Sequence, residues 1–120
     1  GDGPVLIHCA AGKDRTGILA ALTHRMLGVH ADDMVEDYVL TNTAVNLQDR
    51  APEIAERMMR WSGRTASPEA VIAFVGVEPA YLDEAFAEID RQSGSLEAYF
   101  ETALGLDKLT RERIAERLLA

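Results

Sequence analysis

Cys9 and Arg15 are separated by five residues in the segment HCAAGKDRTG, which covers residues 8–17. The apolar run at residues 5–7 is typical of a strand buried on both faces, and the apolar spacing after residue 16 predicts a helix. A short loop between a strand and a helix can turn successive backbone N–H groups towards one point, where the helix dipole adds positive potential. The segment therefore predicts an anion-binding loop at a helix N-terminus.

The residue types in this loop suit chemistry on a phosphate ester. The planar guanidinium of Arg15 can hold two phosphate oxygens. Backbone N–H donors and a nearby arginine favour the thiolate, so we expect a lowered pKa for the Cys9 thiol. A thiolate that faces a bound phosphate is a nucleophile directed at phosphorus.

Other interpretations of the loop assign Cys9 differently. A lone cysteine is commonly a small buried apolar residue, but this would leave three charged side chains crowded into a tight loop without a reason. A nucleotide-binding GxxxxGK(S/T) loop is excluded, because Ile7 and Asp14 stand where glycine and Ser or Thr are required. A rhodanese-like sulfurtransferase and a non-catalytic phosphate-binding or helical interaction module both stay open. His8 could orient the loop or only fill space, and His24 and His30 have no partners at metal-ligand spacing.

Composition limits the remaining function classes. The 120 residues carry 12 basic and 20 acidic side chains, a net charge of -8, which argues against a nucleic-acid partner. Residues 1–30 have a net charge of +1 and residues 31–120 a net charge of -9, so an anionic ligand is attracted only near the start. One cysteine excludes an internal disulfide and a cysteine-based zinc cluster. No apolar run approaches the about 20 residues of a membrane span.

The elements that position the loop are expected to be mainly helical. Apolar periodicity and capping signals predict helices over residues 16–27, from residue 32 or 33, from about 52 to 62, from 68, over 79–92, from 95 and from 110. Residues 71–75 could form a strand instead, because β-branched side chains dominate them. We therefore expect an α/β fold with one parallel-sheet strand, a phosphate-binding loop and then mostly α-helices.

The segment HCAAGKDRTG resembles the HCx5R(S/T) signature of the cysteine-dependent protein tyrosine phosphatases, and its GKDR core resembles an atypical bacterial branch typified by a secreted mycobacterial enzyme. YVLTN at residues 38–42, GVEPAYLDEAF at 76–86 and GSLEAYF at 94–100 look like the downstream region of that branch. The resemblance covers most of the chain, more loosely between residues 50 and 76. It implies a phosphomonoester hydrolase without a cofactor or metal, acting on phosphotyrosine in proteins and by extension on phosphoserine, phosphothreonine or phosphoinositides.

The resemblance also implies a role for each loop residue. Cys9 would attack phosphorus and form a cysteinyl-phosphate intermediate. The amides of residues 10–15 and the Arg15 guanidinium would bind the equatorial oxygens and stabilise the transition state. Thr16 would hydrogen-bond the sulfur and ease its departure in the second step.

Two charged residues distinguish this loop. Asp14 matches a loop aspartate that acts in the resembling branch either as the general acid or as a supporting residue. A neighbouring arginine favours the ionised carboxylate, which makes such an aspartate a poor acid. Lys13 resembles the extra basic residue of phosphatases that accept phosphoinositides. The residues expected to bind substrate are Ala10, Ala11, Gly12 and Lys13.

A second pattern lies in the middle of the chain, where arginines recur on one helical face. They are Arg50, Arg57, Arg60 and Arg64. The resemblance suggests a mobile helical lid near residues 50–76, whereas ion pairs with neighbouring acidic residues suggest an ordinary surface helix.

The start of the chain suggests how it is organised. Because Gly1 rather than Met comes first and a buried-type strand follows almost at once, we expect residues 1–120 to be the C-terminal part of one phosphatase domain. Residues 1–30 would hold the strand, the loop and the first helix, and residues 31–120 the helical part. We expect this part to be weakly active by itself, because a lone strand leaves backbone groups unpaired.

Overall fold

The computed structural model describes residues 3–120, and all regular secondary structure in that range is α-helical. The helices are α1 (Asp14–Met26), α2 (Ala31–Ala44), α3 (Leu47–Ser62), α4 (Pro68–Val75), α5 (Pro79–Ser93), α6 (Leu96–Thr102) and α7 (Lys108–Leu119). The mainly helical character predicted after the loop is therefore confirmed.

Local capping signals mark several helix ends where the sequence predicts them. The Ser67 side chain accepts a hydrogen bond from the Ala70 amide at 3.1 Å, and Pro68 occupies the first helical position of α4. Gly63 and Gly94 end α3 and α5 in the left-handed conformation, with φ of 70° and 83°.

Other local predictions were wrong. The alternative of a strand at residues 71–75 is excluded, because the cap at Ser67 starts the predicted helix and these residues extend it. Asp107 caps α7 by accepting from the Thr110 amide at 2.8 Å, so the last helix begins before Thr110. His30, rather than an aspartate, caps α2, since its Nδ1 accepts from the Asp32 amide at 3.2 Å.

The predicted strand at residues 5–7 is not formed. Its backbone is irregular, and Val5 and Leu6 are 86% and 87% exposed. A strand needs hydrogen bonds from a neighbouring strand, and residues 3–120 contain no second strand to supply them. Of the expected arrangement, the mostly helical part after the loop is thus confirmed, whereas the single sheet strand is absent from residues 3–120.

A small core fixes α1 against α2 and α5. It contains Ala21, Met34, Tyr38, Val77 and Leu82, all at most 6% exposed. Gly17 lets α1 pack directly against the Tyr38 ring of α2, because a Cβ built at this position would lie 2.7 Å from the ring. This close packing sets the position of the N-terminal end of α1, and with it the loop that precedes it.

Candidate active site

The loop of residues 8–13 leads directly into α1 and folds back on its own cysteine. Gly12 adopts the left-handed conformation with φ of 69°, which a residue with a side chain adopts only with strain. In that conformation the Gly12 amide donates a hydrogen bond to Cys9 Sγ at 3.2 Å. Cys9 is half-buried, and its thiol lies close enough to Thr16, at the start of α1, for that residue to influence it.

The surroundings of Cys9 favour its ionised form. The Thr16 hydroxyl lowers the pKa of the thiol most, followed by the Thr16 backbone amide, and the Gly12 and Ala11 amides add to them, so that the pKa lies at about 6. The Thr16 hydroxyl oxygen is buried and acts on the sulfur without meeting full hydrogen-bond geometry, since it has no partner among residues 3–120. At neutral pH Cys9 is therefore mainly a thiolate.

Lys13 is held inside the structure. Its Nζ donates to both carboxylate oxygens of Asp14, at 2.7 and 2.8 Å, and to the Gly76 carbonyl at 3.4 Å. The Lys13 side chain is only 14% exposed, whereas the Asp14 side chain is 55% exposed. Lys13 thus connects the loop to the end of α4, and Asp14 is an acceptor in this arrangement.

Asp14 also acts on α2. Burial raises the pKa of Tyr38, and the negative charge of Asp14, followed by the influence of Tyr81, raises it further. The carboxylate therefore lies near the Tyr38 hydroxyl as well as beside Lys13.

Arg15 forms no hydrogen bond with Cys9 in the structure of residues 3–120. The residue is exposed and makes no hydrogen bond or ion pair with any part of residues 3–120. Ala10 and Ala11 are exposed too, beside Cys9 in the loop. His8 is exposed and makes no hydrogen bond within the described range. No hydrogen bond therefore supports a role in orienting the loop, and its exposure does not support a role in filling space.

A cavity of about 150 Å³ separates α1 from α2 next to the loop. Two buried atoms on its wall, Thr16 Oγ1 and His24 Nδ1, have no hydrogen-bond partner among the described residues. Asp37 Oδ2 lies 3.9 Å from His24 Nδ1. The cavity is large enough to hold water, and these three polar groups are partners that such a water would bridge.

Sequence reasoning missed one residue beside the loop. Asn42 on α2 forms two hydrogen bonds with the backbone of Val77, the residue that follows Gly76. YVLTN, which includes Asn42, stands out only by resemblance, and no local pattern indicates a partner 35 residues away.

The arginine face predicted in the middle of the chain lies on and just after α3. Arg60 pairs with Glu56 at 2.6 Å, as expected for a surface helix. Arg57 instead borders a shallow apolar groove with Ile54, Met58 and Trp61, and Trp61 is 91% exposed.

Residues 3–120 carry neither a metal-binding cluster of side chains nor a helix suited to crossing a membrane. No group of three or more His, Cys, Asp or Glu side chains in this range is arranged to hold a metal ion. None of its helices combines the length and hydrophobicity that crossing a membrane requires.

Comparison with known proteins gives consistent relatives. A family described as the tyrosine phosphatase family matches residues 1–120. The triple specificity protein phosphatase PtpB of Mycobacterium tuberculosis is 37% identical over 124 residues, covering 97% of this chain and 44% of that protein. A Cupriavidus necator protein provisionally named a tyrosine-protein phosphatase is 35% identical over 103 residues, covering 86% of this chain and 36% of that protein. A tyrosine-protein phosphatase of Nostoc commune is 50% identical over 40 residues, or 33% of this chain. The chain spans less than half the length of these relatives.

Proposed function

Because the chain belongs to the tyrosine phosphatase family, we propose that the protein containing it is a cysteine-dependent phosphomonoester hydrolase. The observation that carries the proposal is the state of Cys9: its pKa lies at about 6, in a loop that ends at the N-terminus of α1. A thiolate at a helix N-terminus combines a nucleophile with an anion-binding position.

In the first step, the Cys9 thiolate attacks phosphorus, the bond from phosphorus to the ester oxygen breaks, and a cysteinyl-phosphate forms. The amides of residues 10–15 donate to the equatorial oxygens. Arg15, which has no competing partner within residues 3–120, turns its guanidinium onto two of these oxygens when the phosphate is bound. These donors stabilise the negative charge of the transition state.

In the second step, water attacks the cysteinyl-phosphate and Cys9 leaves as a thiolate. A leaving group departs more readily when its negative charge is stabilised. The Thr16 hydroxyl, which lowers the pKa of Cys9 more than any other group, supplies this stabilisation. Ala10, Ala11, Gly12 and Lys13 complete the binding loop in this proposal.

Asp14 is proposed as a supporting residue of the loop. A general acid must carry a proton, whereas Asp14 accepts two hydrogen bonds from the Lys13 ammonium group. Asp14→Asn separates this role from that of an acid. A supporting role predicts similar losses with p-nitrophenyl phosphate and with an alkyl phosphate, while loss of an acid would slow the poor leaving group far more.

The proposed substrates are phosphoproteins, phosphotyrosine first. The Mycobacterium tuberculosis relative is named a triple specificity protein phosphatase, which supports substrates beyond phosphotyrosine. As the resemblance of the loop implies, the proposal extends to phosphoserine, phosphothreonine and phosphoinositides. Lys13 already contacts Asp14 and the Gly76 carbonyl. To bind a second phosphate, such as that of a phosphoinositide, Lys13 would have to give up one of these contacts.

The proposed organisation places residues 1–120 in the C-terminal part of one phosphatase domain. Residues 1–30 supply the loop and α1. Residues 50–76, which lie in α3 and α4 and the segments that follow them, form the proposed lid. The contact between Lys13 and the Gly76 carbonyl supports this arrangement, because it joins the loop to the end of α4.

The test uses the intact protein that contains these residues. It should hydrolyse p-nitrophenyl phosphate without added metal and be inhibited by vanadate, and Cys9→Ser should abolish turnover. Arg15→Lys keeps the charge but loses the planar fork, so we expect a loss of about 100-fold in kcat. The matched control is Arg25→Lys, because Arg25 lies on the same helix and only donates to the Val29 carbonyl. Activity retained in Cys9→Ser would refute the mechanism.

A further inference from the structure

We propose that Asn42 is a positioning residue of the phosphate-binding loop and that it acts through the peptide unit between Gly76 and Val77 and through Lys13. The inference rests on the proposed function, because its effect is measured on phosphatase turnover. It assigns a role to a residue on α2 that lies outside the loop sequence.

The side chain of Asn42 forms two hydrogen bonds with the backbone of a single residue, Val77. Its Oδ1 accepts from the Val77 amide at 2.9 Å, and its Nδ2 donates to the Val77 carbonyl at 2.8 Å. Both hydrogen bonds are partly buried and join residues 35 positions apart. An amide side chain that satisfies a backbone donor and acceptor together fixes that residue in position and orientation.

The Val77 amide belongs to the same peptide unit as the Gly76 carbonyl. A trans peptide is planar, with its N–H and C=O groups pointing in opposite directions, and no cis peptide occurs among the described residues. Asn42 therefore holds one edge of this plane while the opposite edge carries the carbonyl that faces Lys13. Fixing the N–H group also fixes the direction of the carbonyl.

The packing around Gly76 leaves this peptide little room to move. Gly76 is buried, and a Cβ built on it would lie 2.6 Å from the Ile72 carbonyl oxygen and 3.0 Å from Asn42 Oδ1. Its own amide donates to the Ile72 carbonyl at 2.8 Å and closes α4. The carbonyl that meets Lys13 is thus held by α4 on one side and α2 on the other.

Lys13 links the position of the Gly76 carbonyl to the phosphate-binding loop. An ammonium group has three N–H donors, and three acceptors surround Lys13 Nζ: the two oxygens of Asp14 and the Gly76 carbonyl at 3.4 Å. The Lys13 side chain is 14% exposed, so little of it is free to be solvated instead. Lys13 follows Gly12, whose amide donates to Cys9 Sγ. A shift of Lys13 therefore moves a donor of the nucleophile.

The experiment is a double-mutant cycle in the intact protein, with kcat/KM for p-nitrophenyl phosphate measured for Asn42→Ala, Lys13→Met and the double variant. A displacement of about 1 Å near reacting atoms can cost up to about 100-fold, and we expect Asn42→Ala to lose about tenfold. In the Lys13→Met background the same change should cost no more than about twofold, because the path through Lys13 is already removed.

Two further variants keep the result interpretable. Gln92→Ala removes a helix amide that donates only to Glu88 on α5, and it should leave kcat/KM within about twofold in either background. If Asn42→Ala does not fold, Asn42→Asp replaces it in the cycle, because it keeps the side-chain volume and the acceptor for the Val77 amide. We expect a loss of about threefold that disappears in the Lys13→Met background.

Two results would overturn the positioning role while leaving the proposed function intact. One is an unchanged kcat/KM in Asn42→Ala, and the other is a pair of single losses that multiply in the double variant. An inactive parent protein, or a Cys9→Ser variant that retains turnover, would overturn the proposed function and the positioning role with it.

Discussion

Thr16→Val should weaken the nucleophile by raising its pKa. The substitution keeps the shape of the side chain and the Thr16 backbone amide and removes only the hydroxyl, the largest contribution to the low pKa of Cys9. The Gly12 and Ala11 amides stay in place, so the pKa should not return fully to the ordinary thiol value. We expect it to rise by about one, to about 7.

The magnitude follows from the fraction of thiolate. With a pKa of about 6, about nine-tenths of Cys9 is ionised at pH 7, whereas an ordinary pKa of about 8.5 would leave about 3 in 100. In Thr16→Val the ionised fraction at pH 6 should fall from about one-half to about one-tenth. At pH 9 both proteins are fully ionised, and the more basic thiolate of the variant should react at least as fast.

The assay is the rate of iodoacetamide alkylation against pH, followed by mass spectrometry on the peptide that contains Cys9, the only cysteine among residues 1–120. The midpoint should move from about 6 to about 7 in Thr16→Val. Thr23→Val is the matched control: its hydroxyl lies on the same helix and donates to the Leu19 carbonyl at 2.8 Å. An unchanged midpoint in Thr16→Val, or an equal shift in Thr23→Val, would refute the role given to the Thr16 hydroxyl.

Two further predictions concern stability, measured by urea denaturation. Gly17→Ala places a Cβ 2.7 Å from the buried Tyr38 ring and should cost about 1–3 kcal/mol, while Gly3→Ala, which meets nothing within 4 Å, should change stability by less than about 0.5 kcal/mol. Ser67→Ala removes the cap of α4 and should cost about 1 kcal/mol, against little change for Ser93→Ala, whose side chain has no hydrogen bond within residues 3–120. Equal effects in a variant and its control would contradict the contact named for that variant.

Helix ends could be predicted where one residue decides them. Ser67 with Pro68, and the glycines at 63 and 94, carry the required chemistry within a turn of the boundary they set. The start of α7 was misplaced because two residues three positions apart, Asp107 and Thr110, can both cap a helix. The sequence does not tell which of them adopts the extended backbone of a cap, and Asp107 does.

In the candidate site, contacts between residues close in sequence could be anticipated, whereas a contact between distant residues could not. The Gly12 amide that donates to Cys9 lies three residues from it, and loop length with residue type was enough to anticipate backbone donors there. The effect of Thr16 on Cys9 was expected only from the family resemblance. The contact from Lys13 to Gly76 spans 63 positions and depends on how α4 packs on α2. No periodicity encodes such a contact, so the sequence did not indicate that Lys13 reaches Gly76, and Asn42 was given no role.

The segment at residues 5–7 shows the limit of local pattern most clearly. Val5, Leu6 and Ile7 have the β-branched and apolar character of a buried strand, yet Val5 and Leu6 are 86% and 87% exposed. Helical hydrogen bonds form within one segment, so α1 to α7 follow from their own sequences, whereas a strand is completed only by hydrogen bonds from another. Residues 3–120 supply no such strand. The same pattern that correctly placed the loop between an apolar run and α1 therefore could not determine the backbone of the run itself.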